Sequence, residues 1–141
     1  MLGFVFAVLA GAAMSVQGVM NTRLGEKIGF YEANAFVQGT AFVLSLVVMW
    51  IVGKGSFGEL MNTNKLYWLG GVLGLVITLT VMLAINKLSP TVAISVILIS
   101  QLLVAAIIDC FGIMGSEKIA FSWTKFLGLA LMIGGVLVFK R

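Results

Sequence analysis

Five apolar runs, each close to twenty residues long and separated by short polar stretches, leave this chain few folds to choose from. A bilayer core is about 30 Å thick, and a helix rising about 1.5 Å per residue needs some 20 apolar residues to cross it. The composition agrees, with 61% hydrophobic residues and 10% charged. A soluble domain carries about 25% charged residues, and a chain with this few could not cover its surface with them. The sequence therefore predicts an all-α integral membrane protein of five transmembrane helices, forming a single domain over residues 1–141. The expected spans are about 2–20, 34–52, 67–85, 91–111 and 121–139. The first run lacks the basic head of a signal peptide and is longer than an apolar signal core, so it is read as the first span. Asn21 to Lys27 is read as a polar loop, Gly53 to Ser56 as the break after the second span, and 112–120 as a loop before the fifth. Ser89 is expected to cap the fourth helix, with Pro90 where its missing N–H costs nothing.

Several function classes are excluded at this stage. A single cysteine, Cys110, and the absence of histidine leave no intrachain disulfide and no zinc site of the His/Cys type. No nucleophile motif, phosphate loop or pair of intramembrane carboxylates is present, so neither an enzyme nor ATP-driven transport by this chain alone is expected. No metal or cofactor is implied. The net charge of +4 comes from cations scattered between the apolar runs. No basic face is long enough to track a nucleic acid. Those cations mark helix ends at the headgroups, where Trp50, Tyr67, Trp68, Trp123 and Tyr31 also belong.

Five crossings place Arg23, Lys27, Lys87, Lys140 and Arg141 on one side of the membrane. Lys54, Lys65, Lys118, Lys125 and the N-terminal amine fall on the other. Orientation is set by an excess of Lys and Arg on the cytoplasmic side. Here the two sides nearly balance. Either the chain inserts both ways round and forms an antiparallel dimer, or another signal or a partner fixes one orientation.

Polar groups at membrane depth are functional candidates, because lipid solvates them badly. They are Ser15 and Gln17 in the first span, Gln38 in the second, Thr78 and Thr80 in the third, and Ser100 and Gln101 in the fourth. Gln101 is the leading candidate for a solute contact, since a neutral amide offers two donors and an acceptor without burying a full charge. A helix–helix hydrogen bond is the competing role. Gln17 could instead pair with Asn21 one turn on. Ser15, Gln17, Thr78 and Gln101 form the expected substrate-binding set. Asp109, the carboxylate inside an apolar run, either couples an ion or pairs with Lys118 or Lys125. Gly70 and Gly74 in the third span, and Gly128 and Gly135 in the fifth, are expected to let helices approach closely, within the chain or between subunits.

Three stretches carry a family resemblance. Ala84-Ile85-Asn86-Lys87-Leu88-Ser89-Pro90-Thr91-Val92-Ala93, then Gly115-Ser116-Glu117-Lys118-Ile119, then the glycine-rich last helix are similar to the drug/metabolite transporter superfamily. Gln17-Gly18-Val19-Met20-Asn21-Thr22-Arg23-Leu24-Gly25, with Ser100-Gln101-Leu102-Leu103 and Asp109-Cys110-Phe111-Gly112, resembles its five-helix YdcZ-like branch. The resemblance implies one inverted-repeat half of a ten-helix transporter fold. It also implies a second copy or sister chain inserted upside down, and a path near the bilayer midplane. Small multidrug resistance proteins use a glutamate in their first helix for proton exchange, and this chain has none there. The expectation is a multi-pass inner-membrane secondary transporter of a small polar or amphipathic solute, working as an antiparallel dimer by alternating access. A non-transporting membrane subunit that assembles with a partner membrane protein is the alternative.

Overall fold

The structure, a computed structural model, describes residues 1–120 and 122–139. The expected helix start at Phe121 and the terminal cations Lys140 and Arg141 lie outside the described residues. Among those described, five α-helices follow in order: α1 (Leu2–Ile28), α2 (Phe30–Val52), α3 (Gly70–Lys87), α4 (Pro90–Phe111) and α5 (Trp123–Phe139). The chain divides into two compact units, Met1–Asn86 and Lys87–Arg141.

In the first unit, the polar segment from Asn21 to Lys27 is not a loop. It is the last two turns of α1, which runs unbroken to Ile28. Its side chains are polar but not helix-breaking. The Thr22 hydroxyl donates to the Gly18 carbonyl one turn back, at 2.7 Å. Arg23 and Glu26 pair along the helix at 3.0 Å. Twenty-seven residues reach about 40 Å, so α1 outruns the hydrocarbon and its polar end lies at headgroup level. The break is a single residue. Gly29 sits at φ 101°, a backbone conformation that suits glycine, donates its N–H to the Gly25 carbonyl, and accepts from the Ala33 N–H. One helix thus closes as the next opens, and α1 and α2 lie side by side as a hairpin.

After Gly53, two short 3-10 turns (Phe57–Asn62 and Lys65–Leu69) fill the connection. Ser56 and Asn64 start them by accepting from the Gly58 and Leu66 N–H groups. The second turn runs straight into α3. The third α-helix therefore begins at Gly70, three residues after the expected Tyr67, while the apolar span as a whole covers Lys65–Lys87.

The second unit follows its capping chemistry. The Ser89 hydroxyl accepts from the Val92 N–H, and Pro90 takes the first position of α4, as expected. Gly112, left-handed at φ 64°, ends α4. The chain then folds back so that the Ile119 N–H donates to the Asp109 carbonyl at 2.9 Å, and α5 packs along α4.

The burial pattern is that of a membrane protein. Long apolar side chains such as Phe4, Phe42, Trp50 and Leu131 are exposed along the helices. Buried positions among the described residues are few, and three are polar: Asn21, Thr22 and Asn34. Four helical segments are long and apolar enough to cross a bilayer. The fifth, α5, has 17 described residues, or about 25 Å, a little short of the hydrocarbon thickness.

Candidate functional site

The first unit builds its polar interior on one face of α1. Gly18, Asn21, Thr22 and Gly25 stand at i, i+3, i+4 and i+7, so they share that face, and all four are buried. Gly18 makes the approach to α3 possible. A Cβ added there would lie 2.9 Å from Ile85 Cδ1 and 3.2 Å from Val81 Cγ1. Thr22 Oγ1 also comes within 3.5 Å of the Met82 carbonyl oxygen of α3. Between α2 and α3, Gln38 Nε2 donates to Thr78 Oγ1 at 3.4 Å, while Thr78 donates to the Gly74 carbonyl. At the headgroup end, Asn86 Nδ2 donates to Glu26 Oε1 at 3.3 Å, tying the end of α3 to the end of α1. Asn34 of α2, only 4% exposed, has a side-chain oxygen with no partner.

The predicted substrate set is not brought together within either unit. Ser15 spends its hydroxyl on the Gly11 carbonyl, a local bond within α1. Thr78 is half-buried in the bond to Gln38. Gln17 and Gln101 both stand exposed on their helices. The local pair that Gln17 could have made with Asn21 is not among the hydrogen bonds of α1: Asn21 is buried, and Gln17 is exposed. Of the four packing glycines, Gly74 meets a neighbour, Gln38 Nε2, at ordinary contact distance. A Cβ on Gly70, Gly128 or Gly135 would meet nothing within 4 Å.

The second unit contains a groove of about 320 Å³ between α4 and α5. From α4 it is lined by Leu102, Ala105, Ala106 and Asp109; from α5, by Lys125, Gly128, Leu129 and Met132. Each quartet has the spacing i, i+3, i+4, i+7, which is one helix face. Asp109 and Lys125 are both half-buried and both line the groove. They do not close on each other, and the ion pair found among the described residues is Arg23–Glu26.

The buried polar face of Asn21, Thr22 and Asn34 was missed by sequence reasoning, because Asn21 and Thr22 were placed in a loop. The signal was present in the spacing Gly18-Asn21-Thr22-Gly25, which continues a helical face through the polar segment. The part of Lys125 in the groove was visible only as one of two possible partners for Asp109.

Apolar helices exposed to their surroundings and closed by short turns define a multi-pass integral membrane protein. The chain belongs to the family described as "Putative inner membrane exporter, YdcZ", whose model matches residues 2–138. That match confirms the resemblance to the YdcZ-like branch, places the chain in the inner membrane and makes transport its class of activity. No curated protein and no solved structure matched the chain.

Proposed function

We propose that the protein is a secondary transporter of a small polar or amphipathic solute, working by alternating access as an antiparallel dimer of two copies. The observation that carries this reading is the exposure of Gln17 and Gln101 on membrane-spanning helices. An amide turned toward hydrocarbon loses its hydrogen bonds to water and gains none, at a cost of a few kcal/mol. Such side chains belong against a partner or a wet path. A path between two copies supplies both, with amide donors and acceptors for a polar solute. The near balance of cations between the two faces supports the antiparallel arrangement. The open space over Gly70 and Gly135 leaves room for a second copy's helices.

Transport needs two gates that do not open together. A dimer of inverted copies provides them by symmetry, each copy's inward-facing form being the other's outward-facing form. Efflux of a candidate solute from proteoliposomes tests the assignment. Gln17→Leu and Gln101→Leu should each lower the flux about tenfold or more, while the protein stays folded and dimeric in detergent. Full flux in both variants would remove these two residues from the path.

A further inference from the structure

The groove between α4 and α5 has a charged end and an apolar end. Asp109, near the end of α4, and Lys125, near the start of α5, lie at the first, and Leu102 and Met132 mark the second. Seven residues of helix separate the two ends, about 10 Å. Neither charge serves its own helix. Asp109 sits in the last turn of α4, where the free carbonyls disfavour a carboxylate. Lys125 sits in the first turn of α5, where the free N–H groups disfavour an ammonium. Each nevertheless lines the groove, and they do not pair with each other. Gly128 keeps the middle open, since a Cβ built there meets no atom within 4 Å.

The volume, about 320 Å³, holds about ten groups of water or methylene size at ~30 Å³ each. A two-chain phospholipid is far larger. A simple alkyl cation or fatty anion would fit, but it would leave one half-buried charge without a counter-charge. The geometry points to a small zwitterion with both charges at one end and a short apolar tail at the other. Its ammonium meets Asp109, its acid group meets Lys125, and its tail runs past Gly128 toward Leu102 and Met132. An α-amino acid with an aliphatic side chain has this form. The inference goes beyond the transport reading by naming a second site, apart from Gln17 and Gln101, and its ligand class; it rests on that reading for the solute's fate, and binding itself is measured without it.

The test uses the purified full-length protein in detergent, with tritiated leucine as the probe. The competitor is 6-aminohexanoate, an isomer of leucine whose two charges sit at opposite ends of the chain. Unlabelled leucine should compete at about tenfold lower concentration than the isomer. Asp109→Asn and Lys125→Met should each weaken leucine binding about tenfold or more, since each leaves one charge of the ligand unmatched. Gly128→Leu adds bulk to the groove at a position where a Cβ meets no atom within 4 Å. It should abolish binding with thermal stability and elution volume unchanged, which guards against misreading an unfolded variant. Equal competition by the two isomers, indifference to the three substitutions, or no leucine binding at all would overturn the proposal. So would loss of a dimer in Gly128→Leu without leucine binding in the parent, because that face would then belong to a second copy. Proteoliposome flux separates the two readings. Binding with no leucine flux upholds the groove and removes transport as its purpose. Flux of another solute without leucine binding removes the groove proposal and leaves transport standing.

Discussion

Gly25 shows how little room the α1–α2 hairpin has. A Cβ added there would lie 2.6 Å from Phe30 Cδ1 and 3.0 Å from its Cε1, and an aromatic ring cannot bend aside as a flexible chain end can. Gly18 is also tight, but its nearest neighbour is the tip of Ile85, which has rotamer freedom. The two glycines should therefore respond differently to the same change. Gly25→Ala is expected to cost about 1–3 kcal/mol through overpacking, and Gly18→Ala distinctly less. Thermal unfolding in detergent measures both. The pair Gly25→Ala with Phe30→Ala should unfold no earlier than Phe30→Ala alone, because the clash is gone. If Gly25→Ala melts with the parent, the tight approach of Phe30 to α1 is not there.

At the scale of the element, α1 is the instructive case. Its last two turns carry Asn21, Thr22, Arg23, Glu26 and Lys27, a composition that reads as a surface loop when the expected length of a span is about 20 residues. The polar segment stays helical because Gly29, and not the change in polarity, is where the backbone turns. A helix and a loop differ sharply in their tolerance of proline. Leu24→Pro would remove an i to i−4 hydrogen bond and press its ring on the carbonyl one turn back, at about 3 kcal/mol. The expected outcome is a strongly destabilised protein with poor recovery from membranes. Wild-type thermal stability in Leu24→Pro would mean that the segment is a loop after all.

For the whole molecule, the cations give little orientational bias, and dual insertion follows from that balance as the expected outcome. The α1–α2 turn is the place to read it. Ile28 is exposed beside Gly29, and replacing it leaves the charge count unchanged. In a Cys110→Ser background, Ile28→Cys should react with a membrane-impermeant maleimide added to intact cells, and also with reagent that reaches only the cytoplasm. Two populations of comparable size are expected from dual insertion. Labelling from one side alone would make a dimer of two inverted copies of this chain untenable, and a sister chain of opposite orientation would then be needed.

Much of this protein is legible in its residues because lipid imposes a simple rule: every spanning backbone must satisfy its own amides, so a long apolar run is a helix. The five helices, the Ser89-Pro90 start of α4 and the turn at Gly112 follow from local chemistry of that kind. The polar end of α1 did not, since a helix may continue beyond the hydrocarbon and polarity alone does not end one. What tertiary structure decided is which side chains meet. It buried Asn21, Thr22 and Asn34, joined Gln38 to Thr78, left Gln17 and Gln101 exposed, and set Asp109 and Lys125 along one groove without pairing them. Beyond the Gly18-Asn21-Thr22-Gly25 spacing on α1, no periodicity predicts these outcomes. In a chain that is apolar nearly all round, hydrophobicity no longer marks the inner face of a helix, and close packing at small residues takes over that choice.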